Sequence, residues 1–266
     1  MVVQKKVKIL ANQRIKDNYF KLVLADRSVA KAALPGQFIH ARITADFEPL
    51  LRRPFSIHRA GKGNLEILYE VVGNGTSILS QKKTGDYLDI MGPLGNGFKI
   101  PTPYLPCRPA GTLNATRCIL VAGGMGVAPL IFLAEKLVKS KILVLIGAKT
   151  KLQILCENEF KKLGCEVKIA TDDGSSGFKG YVSDLLKHFL STVDRRPSTI
   201  YACGPKPMLK EIKKVCATRN IFCQASFEEN IACGLGACLG CAVKTRNGFK
   251  RVCVDGPVFD IKEVVL

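Results

Sequence analysis

Four cysteines near the C-terminus, Cys233, Cys238, Cys241 and Cys253, are separated by four, two and eleven residues. A C-x4-C-x2-C run with a distant fourth cysteine is a ligand spacing for a cluster of two irons and two sulfides. Each iron takes two thiolates, so four sulfurs must gather on one tight loop and its support. Gly234, Gly236 and Gly240 lie within that loop; they let the backbone curl and its N–H groups point at sulfur. A structural zinc with four cysteine ligands would tolerate the same count. Zinc is usually gripped by paired knuckles, whereas three of these ligands share one nine-residue glycine-rich stretch, which favours the two-iron centre.

Other segments suit phosphates and rings. Arg53-Pro54-Phe55-Ser56, preceded by Arg52, combines a guanidinium fork for pyrophosphate, an aromatic that can pack on a flavin and a hydroxyl that can reach a ring nitrogen. As a bare string it reads equally as a strand with alternating faces. Gly73-Asn74-Gly75-Thr76-Ser77 precedes a short helix, whose free N–H groups make a phosphate seat. Residues 92–98 fit a tight turn closing a barrel. Gly123, Gly124 and Gly126 follow an apolar strand and open a helix at Ala128-Pro129, the setting in which a dinucleotide pyrophosphate meets a helix N-terminus. Cys203-Gly204-Pro205, with Met208 beyond, repeats that setting at a later strand end, although Cys203 reads equally as a core cysteine. Asp172 and Asp173 would accept ribose hydroxyls and repel a 2′-phosphate, tilting the choice from NADP toward NAD.

The elements that must hold these groups follow from periodicity. Short β-type segments at 7–11, 19–25, 37–43, 65–72 and 87–91 predict a β-barrel or sandwich. Residues 101–116 contain four prolines and predict a linker at a domain boundary. Continuous apolar strands at 118–122, 142–146, 166–170, 199–202 and 221–224 alternate with helices at 129–139, 152–163, 181–190 and 207–219. That alternation predicts a doubly wound parallel sheet covered on both faces. Residues 225–266 are too few to bury a core alone, so a bound metal would supply stability. The expected domains are therefore 1–101, 102–224 and 225–266.

The formal charge is +18, but Lys and Arg are scattered in ones and twos. No basic block or nucleic-acid module stands out, so nucleic acid is not an expected partner. Seven dispersed cysteines (Cys107, Cys118, Cys156, Cys165, Cys203, Cys216 and Cys223) lack a disulfide framework spacing, which points to a reducing cytoplasm. The N-terminus has no apolar signal core. Uncharged residues 118–134 are interrupted by three glycines and Pro129, which suits a strand, turn and helix rather than a membrane span.

Taken in order, Arg53-Pro54-Phe55-Ser56, GGxGxAP at Gly123 and CGPxxM at Cys203 resemble the ferredoxin–NADP reductase superfamily. The tail from Ser226 through Asp260 resembles the electron-transfer subunits of two-protein, NAD-dependent (type 1B) dihydroorotate dehydrogenases. This resemblance implies an FAD-binding antiparallel β-barrel, an NAD-binding parallel sheet and a small C-terminal 2Fe-2S domain. It implies FAD contacts at Arg53, Pro54, Phe55, Ser56, Leu68, Tyr69 and Glu70, with phosphate at Gly75 and Thr76. Members of the family often carry a basic residue where Glu70 stands. It implies Cys233, Cys238, Cys241 and Cys253 as cluster ligands, and NAD at Gly123, Gly124, Gly126, Cys203, Gly204, Pro205 and Met208. Ser56 and Cys203 become the expected catalytic pair. An FMN-bearing partner, in a two-plus-two assembly, would oxidise dihydroorotate for UMP synthesis, and electrons would pass through cluster and FAD to NAD+. Subunits of a bifurcating ferredoxin–NADP transhydrogenase or a soluble hydrogenase share this architecture and stand as the alternative.

Overall fold

A computed structural model describes residues 2–46, 48–100, 117–137, 141–192 and 198–266. The expected linker at 101–116, with Cys107, lies outside the described residues.

The first hundred residues close a six-stranded antiparallel barrel. Its strands are β1 (Val3–Lys16), β2 (Tyr19–Ala25), β3 (Phe38–Arg42), β4 (Arg53–Gly61), β5 (Asn64–Glu70) and β6 (Tyr87–Leu94), in the order β1-β2-β5-β4-β3-β6. Two short helices intervene, α1 (Arg27–Ala32) and α2 (Asn74–Gln81). Asp26 caps α1, its carboxylate accepting from the N–H groups of Ser28 and Val29. Along the strands every second side chain turns inward; Ile39, Ala41, Phe55 and Ile57 fill the barrel while their neighbours face out.

The second half is a seven-stranded sheet of β7 (Arg117–Gly123), β8 (Ile142–Ala148), β9 (Glu166–Thr171), β10 (Phe178–Lys179), β11 (Ser198–Cys203), β12 (Cys223–Ser226) and β15 (Val258–Asp260). Its order is β10-β9-β8-β7-β11-β12-β15, parallel except for β15. Helices α3 (Val127–Lys136) and α4 (Glu157–Lys162) cover one face, α5 (Val182–Thr192) and α6 (Lys206–Thr218) the other. The pleat divides the strand residues between them. Leu120 and Val144 pack with Leu130 of α3 and Phe160 of α4, whereas Val121 and Leu145 pack with Leu186 of α5 and Ile212 of α6. Burial on both faces explains why β8 is apolar throughout.

One expectation changes. A single helix at 152–163 is replaced by a one-turn 3-10 segment and α4, separated at Cys156, whose φ of 60° cannot continue a helix. The break lets Leu155 turn into the core under α3. The C-terminal segment packs on the large sheet: after the hairpin β13 (Ala242–Thr245) and β14 (Gly248–Arg251), β15 joins it beside β12. Val243, Val252, Phe259 and Val264 share the core beneath α6.

Candidate functional site

The spacing of the cysteines acquires a structural cause in the hairpin. Ala242 pairs with Arg251 and Thr245 with Gly248, so eleven intervening residues go out and back and bring Cys241 beside Cys253. The Val252 N–H donates to the Cys241 carbonyl at 3.0 Å. Both thiols are buried, Cys241 at 2% and Cys253 at 1% exposure; burial pushes the Cys253 pKa up to about 12, with Cys241 alongside. Cys233 and Cys238 form a second pair within hydrogen-bonding reach, nearer solvent. The N–H groups of Cys238 and Leu235 pull the Cys233 thiol down to about 6, the latter at 3.4 Å from its sulfur. The loop is seated on the barrel at Gly234, which has φ +73° and whose absent Cβ would lie 2.8 Å from His40 Nδ1.

Two pairs suit two irons better than one zinc. A tetrahedral site with metal–sulfur bonds of about 2.3 Å needs all sulfurs within about 4 Å of one another. Among the described residues, the triple of possible ligand atoms that closes within 4.8 Å is His58, Cys156 and Glu159, at the junction of barrel and sheet. There Lys21 and Arg59 already occupy the Glu159 oxygens.

Beside the cysteine loop lies a cleft of about 710 Å³. One wall is the barrel, with Arg53, Pro54, Phe55 and Ser56 from β4 and Leu68, Tyr69 and Glu70 from β5. Phe55 is turned into the barrel core, where it meets Tyr69 edge-on at 5.8 Å. Tyr69 is likewise sunk, its hydroxyl donating to Asn12 at 3.0 Å and its pKa pushed up by burial to about 12. Glu70 stands beside Tyr19 and helps raise that phenol's pKa, after burial. Thr76 reaches the cleft, but its hydroxyl accepts from the N–H groups of Val72 and Gly73 and donates to the Gly73 carbonyl. The side that remains for phosphate is the opening turn of α2 with the Arg53 guanidinium, whose Nε lies 3.1 Å from where a Gly75 Cβ would be.

The opposite wall was not anticipated. It comprises Ser226, Phe227, Glu228, Glu229, Asn230 and Ile231, with Met125 from the 3-10 turn before α3, Ala128 from the start of α3 and Pro257 from the tail. The segment leaves β12 and runs two residues past Ile231 to Cys233. Cleft wall and first cysteine are therefore within about 7 Å along the chain. The acidic string after an apolar strand was the available signal, yet nothing local says which surface it will face. Burial raises the Glu228 pKa.

The dinucleotide loops meet at the switch point of the sheet. From β7 the chain winds to β8 and β9 on one side, then crosses to β11 on the other. Loops leaving β7 and β11 thus diverge and open a crevice at their carboxyl ends. Gly123, Gly124 and Gly126 lie on the first; Cys203, Gly204, Pro205 and Met208 on the second. A Cβ at Gly126 would collide with the Cys203 carbonyl, and one at Gly123 would come within 2.6 Å of Met208 Sδ. Cys203 is buried at 1% beneath this crevice; burial above all raises its pKa, with Glu228 adding to the effect and Ser226 opposing it. Asp172 and Asp173 follow β9, where Asp173 accepts from the Ser175 N–H at 2.9 Å and so holds its own turn.

Comparison with known proteins agrees with this geometry. Residues 228–265 match the iron-sulfur cluster binding domain of dihydroorotate dehydrogenase B, and residues 120–214 match the oxidoreductase NAD-binding domain. The dihydroorotate dehydrogenase B (NAD(+)) electron transfer subunit of Desulforamulus reducens is 42% identical, with 97% of each chain covered. The subunit of that name from Clostridium acetobutylicum is 38% identical over 97% of this chain and 96% of its own. Among solved structures, an NADH-dependent reduced ferredoxin-NADP oxidoreductase, studied for electron bifurcation, superposes with a TM-score of 0.83 at 29% identity, covering 97% of this chain and 89% of that one. A Neisseria gonorrhoeae ferredoxin NADP+ reductase with bound FAD and NADP shares the fold, at TM-score 0.67 and 14% identity over 82% of this chain and 92% of its own.

Proposed function

This chain belongs to the family of electron transfer subunits of dihydroorotate dehydrogenase B (NAD(+)), and on that premise we propose that it carries electrons from its four-cysteine centre, past the barrel cleft, to NAD+. It is an oxidoreductase subunit; FAD, a 2Fe-2S cluster and NAD are its cofactors, and a separate catalytic subunit is its partner. The electrons come from dihydroorotate oxidised on that FMN-bearing partner in a two-plus-two assembly, as a step of pyrimidine synthesis. The full-length identity of 42% to this family exceeds the 29% shared with the bifurcating reductase, which leaves the latter as the second reading.

The observation that carries the reading is the continuity from Ile231 on the cleft wall to Cys233. When bound, the cluster passes single electrons and the flavin gathers two for transfer as hydride. The chain's own residues do the rest. Cys233, Cys238, Cys241 and Cys253 hold the irons in two pairs. Arg53 and the start of α2, with Gly75 and Thr76, bind the pyrophosphate of FAD. Pro54, Phe55, Leu68, Tyr69 and Glu70 shape the ring side of the cleft, where Ser56 stands for hydrogen bonding at the reactive edge. Gly124 and Gly126, with Gly123, and Gly204, Pro205 and Met208 receive NAD; Cys203, neutral through burial, backs the nicotinamide end. The domains are taken as 1–101, 102–224 and 225–266. Among the described residues no helix is long and apolar enough to cross a membrane, and the cytoplasm is the proposed compartment.

The test is a visible spectrum with iron and flavin counts on purified protein. One FAD and two irons per chain are expected, and Cys238→Ser should lose the iron while the yellow flavin stays. Full iron retention by that variant, or zinc in place of iron, would overturn the assignment.

A further inference from the structure

His40 sits where barrel, cleft and cysteine loop meet. On β3 the side chains of Phe38 and His40 share the outer face, about 7 Å apart along the strand. Phe38 lines the cleft. His40, fully buried at 0% exposure, lies under the cysteine loop, with Nδ1 2.8 Å from the position of a Gly234 Cβ. Beside it Met91 closes on the same glycine.

Neither ring nitrogen has a hydrogen-bond partner. The carbonyls of Arg52 and Ile231 approach the ring, but no complete hydrogen bond results. Arg52 instead donates to the carbonyl of His40 itself and to Asp89. An uncharged imidazole must carry one hydrogen, and an unpaired buried N–H costs about 1–3 kcal/mol. Such an atom calls for an acceptor that the described residues do not themselves supply. Gly234 follows Cys233 in the chain, so the ring stands against the cysteine loop, where a centre held by Cys233 would supply sulfur as the acceptor.

We propose that His40 is a positioning residue of the relay, donating its Nδ1–H to a sulfur of the centre held by Cys233 and fixing the cysteine loop against the cleft wall. This rests on the two-iron reading of the four cysteines. An N–H donated to sulfur stabilises the reduced, more negative cluster and raises its potential. It also fastens the loop to the strand that bears Phe38, so the spacing of the two centres follows from β3.

The experiment uses the untagged full-length holoprotein with 15N-labelled histidine. Only His40, His58 and His188 would carry label, and His58 already spends Nδ1 on the Ala128 carbonyl at 2.9 Å. Pulsed EPR of the reduced cluster should show coupling to a histidine nitrogen that is lost in His40→Phe. Redox titration of His40→Phe should show a more negative cluster midpoint at unchanged iron and FAD content, with His40→Asn, which keeps an N–H near Nδ1, restoring the shift in part. Absence of the coupling in the unsubstituted protein overturns the proposal even if His40→Phe fails to hold iron, and so does an unchanged midpoint in an iron-replete variant. No two-iron EPR signal at all would overturn the relay reading itself, and this proposal with it.

Discussion

Arg59 on β4 and Glu159 on α4 are joined across the junction of barrel and sheet, with Nη1 donating to Oε2 at 2.5 Å. The same guanidinium donates through Nε to Glu135 of α3 at 2.6 Å, and Lys21 of β2 reaches the other Glu159 oxygen at 3.1 Å. One residue earlier, His58 bonds the Ala128 carbonyl beside the Gly126 loop. Strand β4 thus carries Ser56 in the cleft and, three residues on, the pairs that fix where the dinucleotide loop stands. A half-buried carboxylate shared by two cations is worth more than an exposed pair, because removing it leaves both cations poorly solvated.

Glu159→Gln should therefore lower stability by about 1–3 kcal/mol, read as a fall in the denaturant midpoint at pH 7. His58, then Lys21, hold the Glu159 carboxyl well below the usual carboxylate range. A depressed folded pKa means that the stabilisation is complete above the unfolded value of about 4.3 and is lost as pH falls through the folded one. The difference between wild type and variant should persist at pH 6–8 and shrink below about pH 4. A difference that grows on acidification would contradict the sign.

Arg53→Ala should weaken FAD binding by about 10- to 150-fold, the worth of about 1.5–3 kcal/mol for a hydrogen bond to a charged group. Arg53→Lys should recover only part of that, since an ammonium lacks the planar fork. Flavin released on dilution and followed by fluorescence measures both. Iron content should not change, because Arg53 lies at the α2 end of the cleft.

Gly126→Ala should damage the NAD side alone. The new methyl meets the backbone carbonyl of Cys203 rather than a mobile side chain, so the two loops must separate. Overpacking of this kind costs about 1–3 kcal/mol, equivalent to about a 5- to 150-fold rise in the KM for NADH. NADH oxidation with an artificial acceptor reports it, with FAD and iron counts as controls. An unchanged KM would mean that the crevice between β7 and β11 is not the nicotinamide entry.

What could be read in advance, and what could not, divides by range of interaction. The gathering of the four cysteines was legible because thiol spacing around a hairpin is local chemistry. Strands such as β7 and β8 were legible because burial on both faces leaves a continuous apolar run. Cys156 hid the break before α4, since a positive φ at cysteine is imposed by burying Leu155 rather than by the residue's own preference. Val258-Phe259-Asp260 is too short to show a period, so the antiparallel edge beside β12 appears only in three dimensions. Ser226 through Ile231 is too short to show a period; its place on the cleft depends on the barrel wall it faces.

Cys253→Ser and Cys238→Ser should both abolish iron binding, yet they should differ in stability. Cys253 is 1% exposed and packs with Val252 and Phe259 in the core under α6, whereas Cys238 faces solvent. A serine at 253 buries a hydroxyl, which costs about 1–3 kcal/mol without a partner; at 238 it meets water. The comparison is made on iron-free protein, prepared from both variants and from wild type by chelation, so that loss of the metal is common to all three. Cys253→Ser should unfold at lower denaturant than the iron-free wild type, and Cys238→Ser should coincide with it. Because β15 belongs to the same core, the Cys253 effect should appear in the cooperative transition of the parallel sheet rather than as separate melting of the tail. Equal midpoints for the two variants would show that the Cys241–Cys253 pair is not held by the core.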